Sequence, residues 1–298
     1  NEYTSSSASA VAVVDAGGAA RELFLKVERP APDPIPRYRY GIGYEARVHA
    51  ELLARAPHTP PEILTERQLA PLPPVVQRWL PRSGAVGRPI ARTVRLRERG
   101  VMRTRPGAAG MPVRATQYFT VDAPGVVWLA DVRLLQVIPI VGRDCLIHGR
   151  GRMQIALGGL IPLADGIGPG FDQGTALRFL GEIVWFPSAA AAGAIRWRAL
   201  DVHRAEATLT ARDVEVSAIF TFDDLGRFVR LEADRSYNGG AAERWEIPAT
   251  HWSVIRGVEI PVSGQAVWKR AAGDFSYFDW EITDVETNRP SLWGEDPS

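Results

Sequence analysis

Arg178 and Glu182 form the polar pair of this sequence whose spacing suits ligand chemistry. They lie four residues apart in a predicted helix, on the same side of it, and they precede Trp185. A guanidinium and a carboxylate beside an aromatic ring can orient the carboxylate or carbonyl group of a ligand at a pocket mouth. The same spacing is also typical of an ordinary exposed ion pair, and both interpretations stay open here.

Aromatic residues are the second feature, because the chain has nine tryptophans among its 298 residues. Rings of this size are expected in interiors or pockets. Placed on one concave face they would line a large apolar cavity, whereas a tightly packed core without a ligand is the alternative. Together with the polar pair they give the expected ligand-binding residues, which are Tyr118, Trp128, Arg178, Glu182, Trp185, Trp197 and Trp245.

The familiar catalytic and metal-binding patterns are missing from the sequence. It has no G-x-S-x-G, H-E-x-x-H, G-x-x-x-x-G-K-[ST] or C-x-x-C string. The single cysteine, Cys145, excludes an internal disulfide and a thiolate metal cage. The sequence therefore names no catalytic residue, and it predicts neither a metal nor a cofactor.

Charge and hydropathy limit the partners. With 35 basic and 34 acidic residues, the net charge of +1 gives no broad field for nucleic acid. No apolar run is long enough to cross a bilayer, so we expect no integral membrane association. Residues 1–10 lack the basic-then-apolar pattern of a signal peptide, which favours a cytoplasmic location, although a chain that starts with Asn is also compatible with a removed leader.

The elements that must position these residues are mainly strands. Residues 214–222 alternate apolar and polar, and turn formers separate them from a second alternating stretch at 227–234. A single substantial helix, 175–185, carries an apolar stripe, and six glycines in residues 158–174 predict a mobile loop or lid before it. A second hairpin is predicted at 204–218, with its turn near 211–213. Further strands are predicted at 92–103, 112–121, 125–135, 143–157, 195–202, 242–252, 258–270 and 277–286.

This pattern predicts a mainly β fold, a curved antiparallel sheet of half-barrel or barrel-like form with the helix on its concave side. We divide the chain into a small α+β N-terminal appendage (1–72), a β-rich ligand-cavity domain (73–288) and a tail (289–298).

Part of the appendage, residues 21–62, resembles the small lobe of aminoglycoside-phosphotransferase-like kinases. A strand at 21–27 is followed by a proline-rich loop and a helical stretch at 43–55. The resemblance implies that Lys26 contacts nucleotide phosphates and pairs with Glu45 or Glu51. The H-x-D loop that a phosphotransferase needs is missing, so we expect a structural appendage without kinase activity.

Residues 72–288 resemble an uncharacterised bacterial family known as a domain of unknown function. The matching strings are G-R-G at 149–151, G-L-I-P-L-A-D at 159–165, L-x-x-L-x-E-x-x-W-F-P at 177–187, F-D-D-x-G at 222–226 and A-D-R at 233–235. The tail strings R-G-V-E-I-P-V at 256–262 and W-E-I-T-D-V-E-T-N at 280–288 look like the closing strands of LolA-like and LppX-like lipid-handling proteins. That second resemblance implies a curved sheet wrapped around helices and an apolar cavity.

The sequence thus favours binding of an apolar small molecule, such as a lipid, a terpenoid or a polyketide-like compound, in an aromatic-lined cavity. A cyclase or isomerase acting on a hydrophobic substrate in that cavity is the alternative, since such reactions can depend on positioning and electrostatics. A scaffold without catalytic activity is the third hypothesis. The sequence leaves the oligomeric state open.

Overall fold

The computed structural model describes residues 9–14, 20–25, 49–54, 59–135 and 137–293. The chain divides into two compact units, residues 1–40 and residues 41–298. Residues 41–72, which the sequence places with the appendage, group with the larger unit. In the first unit β1 (Ser9–Val14) and β2 (Ala20–Leu25) form an antiparallel hairpin. Lys26 and Glu45 lie outside the described residues, and the Glu51 carboxylate lies 3.4 Å from His148 Nε2.

The larger unit contains four helices and thirteen strands in its described part. The helices are α1 (49–53), α2 (Glu66–Leu69), α3 (Pro74–Arg82) and α4 (Pro169–Glu182), and α4 continues into 3-10 turns at Ile183–Trp185 and Pro187–Ala191. The strands are β3 (Thr93–Met102), β4 (Met111–Thr120), β5 (Gly125–Leu134), β6 (Ile138–Ile147), β7 (Arg150–Leu157), β8 (Ile161–Ile167), β9 (Ile195–Ala199), β10 (Arg204–Ala211), β11 (Val214–Phe222), β12 (Phe228–Ser236), β13 (Ala242–Ile255), β14 (Val258–Lys269) and β15 (Phe275–Thr287).

The thirteen strands form one antiparallel sheet in the order β8-β7-β6-β5-β4-β3-β15-β14-β13-β12-β11-β10-β9. Each half is a simple meander, and the first and last strands of the unit, β3 and β15, pair at its centre. The predicted class is confirmed: the fold is mainly β, with a curled half-barrel sheet and a helix against it.

Helix α4 fills the concave side of the sheet. It packs against β6, β7 and β8 from one half and against β10, β11 and β12 from the other. Its side chains are buried on nearly all sides, including Ala176, Leu177, Phe179 and Leu180. The strands that face it alternate as a half-buried sheet should, with small inward residues such as Ala205 and Ala207 on β10 that let the helix approach closely.

The glycine-rich segment 158–174 is where the fold departs from the sequence prediction of a mobile loop. It forms β8 and the first turns of α4. Its glycines permit close packing: a Cβ at Gly166 would lie 2.3 Å from the Phe171 ring. The stretch predicted as one strand at 143–157 is two strands, β6 and β7, because His148 and Gly149 reverse the chain with positive φ angles of 54° and 71°.

Gly151 offers a test of this packing. A Cβ there would lie 2.3 Å from the carbonyl oxygen of Phe171, where α4 begins on β7. We expect Gly151→Ala to lower the free energy of unfolding by about 1–3 kcal/mol, because the backbone of α4 must shift. Gly193→Ala is the matched control, since nothing lies within 4 Å of its added Cβ. Urea unfolding of both variants measures the difference, and equal stabilities would contradict the close packing.

Candidate functional site

Arg178 is directed from α4 into a cluster of polar side chains inside the sheet. Its Nε donates to Glu182 Oε1 at 2.7 Å, its Nη1 to Asp144 Oδ2 at 3.2 Å and its Nη2 to Gln117 Oε1 at 3.2 Å. The guanidinium also stacks over Trp128, with 4.7 Å between Cζ and the ring centroid. The predicted pair of Arg178 and Glu182 therefore exists, and it is buried.

The sheet brings the remaining partners together by register. Gln117, Trp128 and Asp144 lie directly opposite one another on β4, β5 and β6, so they form a single row across three strands. The indole N–H of Trp128 donates to Glu98 Oε1 on β3. We call this set of six residues the Arg178 cluster: Glu98, Gln117, Trp128, Asp144, Arg178 and Glu182.

Burial perturbs the charges of the Arg178 cluster. Three carboxyl groups share one guanidinium, and the side chains of Arg178, Asp144 and Glu182 are only 16%, 13% and 10% exposed. Burial raises the pKa of Glu182 to about 7, against the opposing charge of Arg178, and burial also raises the pKa of Glu98. Burial alone would lower the pKa of Arg178, but the carboxylates around it outweigh burial and hold that pKa above its ordinary value. Glu182 therefore gains and loses its proton near neutral pH.

The Arg178 cluster contains buried polar atoms without a hydrogen-bond partner in the described part of the chain, among them an oxygen of Glu182. Glu182 Oε2 is buried and has no hydrogen-bond partner among the described residues. The other carboxylate oxygen of Glu182 is engaged by Arg178, so this side chain is held from one side only. The cluster can take up a proton at Glu182, and the contacts of Arg178 with Gln117, Trp128 and Asp144 fix α4 against β4, β5 and β6.

A separate pocket lies where the 3-10 turn after α4 meets the last strands. It is partly open, has a volume of about 110 Å³ and is rimmed by Arg88, Ser188 and Arg256. Trp185 packs edge-to-face on Trp280 with 5.4 Å between ring centroids. The main apolar lining residues are Trp185, Phe186, Ile255, Val258, Ile260 and Val285.

Trp185 is unusual among the predicted aromatic residues because its indole N–H is buried without a partner among the described residues. The N–H of Trp197 donates to Ala190 O at 2.8 Å, and the N–H of Trp245 donates to the hydroxyl of Tyr277 at 3.1 Å. The indole N–H groups of the half-buried Trp197 and the buried Trp245 are thus satisfied within the protein, and of these three rings Trp185 is the one that lines the pocket.

Tyr118 lies on the opposite face of the sheet from Trp128. Side chains alternate along β4, so Gln117 faces the Arg178 cluster while Tyr118 packs on the outer face with Leu52 and Cys145. Its hydroxyl accepts from the backbone N–H of Trp293 at 3.1 Å. The structure therefore brings Trp128, Arg178 and Glu182 together, places Trp185 one turn further along, and separates Tyr118 from all of them.

Three members of the Arg178 cluster were missed at the level of sequence: Glu98, Gln117 and Asp144. Each lies at an inward position of its strand, among apolar neighbours such as Phe119 and Leu146. The available signal is a polar residue at a position where the alternation of the strand directs side chains inward. Using that signal requires knowing which face of each strand lies inward.

Cys145 and the acidic residues give no further chemistry. Burial, with the nearby charge of Asp144, raises the pKa of the Cys145 thiol to about 12, which leaves it an unreactive thiol. Within the described ranges no group of three or more His, Cys, Asp and Glu side chains could hold a metal ion. In the same residues no helix is both long enough and apolar enough to cross a membrane.

The chain belongs to DUF6544, a family of unknown function, whose profile matches residues 62–280. No curated protein matches the chain. Solved structures similar to it include an outer-membrane lipoprotein-sorting protein domain from Vibrio parahaemolyticus, at 11% identity and a TM-score of 0.44, covering 74% of this chain and 94% of that one. A LolA superfamily protein from Nitrosomonas europaea is 12% identical with a TM-score of 0.39, covering 72% and 94%. The expected membership of a family of unknown function is confirmed.

Proposed function

We propose that the domain binds an apolar small molecule, or the apolar end of a larger one, in the pocket beside Trp185. The observation that carries this proposal is a mostly apolar pocket lined by a tryptophan whose buried N–H has no partner among the described residues. A buried donor left unpaired costs about 1–3 kcal/mol, which a ligand acceptor would recover. A lipid, a terpenoid or a polyketide-like compound offers such an apolar group with an oxygen on it.

The size of the pocket limits the size of the group that it can bind. A volume of about 110 Å³ is somewhat below the roughly 150 Å³ cavity that holds benzene in an apolar core. A single ring or a short branched alkyl group fits, and the rest of a larger molecule would lie outside the open side. The bound group would carry a carbonyl, ether or hydroxyl oxygen to accept from Trp185 Nε1. This ligand is smaller than the one expected from a cavity lined by all the aromatic rings.

Arg178 and Glu182 would act as positioning residues in this proposal. Trp185 follows Glu182 in the same continuous helical segment, so the ion pairs of the Arg178 cluster hold the segment that carries the ring. The alternative of a cyclase or isomerase would need a charged group free to act on the ligand. The charged groups at the pocket rim are Arg88, which donates to the carbonyl oxygens of Gly84 and Arg256, and Arg256, which pairs with Asp284 and Glu286. Because both are engaged by protein groups, no observation favours that alternative. A cytoplasmic location and the absence of a nucleic-acid partner stay predictions.

Trp185→Phe tests the proposal because it keeps a ring and removes the donor. We expect the parent protein to bind 4-fluoroacetophenone more tightly than 1-ethyl-4-fluorobenzene, which has nearly the same shape without the oxygen. The variant should bind the ketone about fivefold more weakly, as the loss of a hydrogen bond worth about 1 kcal/mol implies, and the hydrocarbon equally well. Fluorine NMR line broadening measures both affinities.

Two further variants make this test specific. Trp197→Phe is the matched control, since its N–H is satisfied by Ala190 away from the pocket, and it should leave both affinities unchanged. Val258→Trp should abolish binding by filling the pocket from β14. If the parent binds neither compound, the domain is a scaffold and the proposal fails.

A further inference from the structure

Large aliphatic side chains are exposed on two neighbouring turns of the sheet. Leu135 and Val137 lie in the turn between β5 and β6 and are 62% and 72% exposed, while Leu160, in the turn between β7 and β8, is 77% exposed. Ile138 and Ile161 follow these turns and are also exposed. We call these five residues the hairpin tips: Leu135, Val137, Ile138, Leu160 and Ile161.

The two turns lie side by side. The backbone N–H of Gly158 donates to the carbonyl oxygen of Pro139 at 2.8 Å, and Ile140 pairs with Leu157 in the ladder between β6 and β7. The exposed aliphatic groups therefore project from one corner of the sheet as a single protrusion. Exposed apolar clusters of this kind mark interaction sites, since leaving them in water is unfavourable.

The charges near the hairpin tips are basic. Residues 132–141 contain Arg133 and no acidic residue, and residues 155–163 contain no charged residue. The next turn of the meander, between β3 and β4, contributes Arg103 and the exposed Arg105. Two of these three arginines have acidic partners, since Arg133 pairs with Asp131 at 2.8 Å and Arg103 pairs with Asp279 at 2.6 Å. The surroundings of the protrusion thus carry a small positive excess, which complements a negatively charged surface.

A second pair of exposed aliphatic side chains provides a comparison with the hairpin tips. Val202 and Leu225 are 69% and 67% exposed on the turns after β9 and β11, which contact each other through the bond from Phe222 N to His203 O at 2.8 Å. Charges of both signs accompany this pair: Asp201 pairs with Arg204 at 2.7 Å, and Arg78 donates to the carbonyl oxygen of Val202. The two sites match in exposure and aliphatic character, but the second lacks the positive excess found beside the hairpin tips.

We propose that the hairpin tips insert into the surface of an anionic lipid bilayer, with the neighbouring arginines at the level of the lipid headgroups. Aliphatic side chains on protruding turns can enter the boundary between headgroups and acyl chains without unfolding the sheet, and basic residues are attracted to anionic lipids. A protruding aliphatic tip suits a fluid surface better than a shaped protein partner, whose interface would be rich in aromatic residues. The inference is independent of the ligand proposed for the pocket.

Sedimentation of the full chain with vesicles tests this proposal. We expect binding to vesicles of phosphatidylcholine and phosphatidylglycerol in a ratio of about 3:1, and little binding to phosphatidylcholine alone or at about 0.5 M salt. Combined replacement of Leu135, Val137 and Leu160 by Ser should weaken binding about tenfold or more. Combined replacement of Val202 and Leu225 by Ser is the matched control and should leave binding unchanged.

Folding and self-association are checked on the same samples. All five replaced side chains are more than half exposed, so thermal midpoints of both variants should match the parent. The proposal is overturned if the parent does not sediment with the anionic vesicles, or if both variants lose binding equally. It is also overturned if the replacements at the hairpin tips convert a dimer to a monomer in light scattering, which would make the protrusion a contact between two copies of the chain.

Discussion

Arg178→Met is expected to lower the free energy of unfolding by about 3–5 kcal/mol near pH 8. The substitution keeps an unbranched chain of similar length but removes the cation that Glu182 and Asp144 contact at 2.7 and 3.2 Å. It leaves buried carboxylates without their counter-charge inside the sheet, and such groups cannot be rehydrated without opening the fold. Urea unfolding at a series of pH values measures the effect, which should shrink at lower pH as the carboxyl groups become protonated.

Arg133→Met is the matched control for this prediction. Arg133 pairs with Asp131 at 2.8 Å, but the two side chains are 45% and 47% exposed. Exposed pairs of this kind contribute about 0–1 kcal/mol, so the control should change stability little. Equal and small losses in both variants would show that the Arg178 cluster is hydrated and does not hold α4 in the sheet.

Glu182→Gln is expected to flatten the pH dependence of stability between about pH 4.5 and pH 7. Burial raises the pKa of Glu182 to about 7 from its ordinary value of 4.5. In this window the folded protein holds a proton that the unfolded chain releases, so the stability of the parent is full below the window and falls as the pH rises through it. The shift corresponds to on the order of 3 kcal/mol across the window.

Part of the pH dependence of stability should remain in Glu182→Gln, and its origin can be named. The groups that face Glu182 are Arg178 on its own helix, Asp144 on β6 and Glu98 on β3, and burial raises the pKa of Glu98 as well. A shallower slope of the same sign should therefore persist. Glu215→Gln is the control. The hydrogen bond from Arg196 lowers the pKa of that exposed carboxylate, so any change in stability from its titration lies at a more acidic pH than this window. A full slope retained in Glu182→Gln would contradict the assignment.

The strands were predictable because their side chains alternate and their turns contain distinctive residues. Alternation at 214–222 and the turn that follows it predict β11 and its hairpin with β12, and both are present. The glycine-rich segment differs from its prediction because glycine suits both mobile loops and close packing. The close approach of the Phe171 ring to Gly166 shows close packing here, and that contact cannot be derived from the sequence.

The site was harder to predict than the fold because it depends on which face of each strand lies inward and on how neighbouring strands are aligned. An i,i+4 pair such as Arg178 and Glu182 has the same spacing on a buried helix as on an exposed one. Its burial follows from the curl of the sheet around α4, which brings in Asp144 from a strand more than thirty residues away. Tyr118 was grouped with the tryptophans by residue type, whereas the alternation along β4 places it on the outer face.

The most direct test of the central claim observes the Trp185 indole N–H itself. The chain has nine tryptophans, and the cross-peak of Trp185 in a nitrogen–proton correlation spectrum is the one that disappears in Trp185→Phe. We expect titration with 4-fluoroacetophenone to move this cross-peak along a saturable curve toward the shift of a hydrogen-bonded N–H, while the cross-peak of Trp197 stays in place. A Trp185 cross-peak that does not move at saturating ketone, or a response confined to other tryptophans, would contradict ligand binding in this pocket.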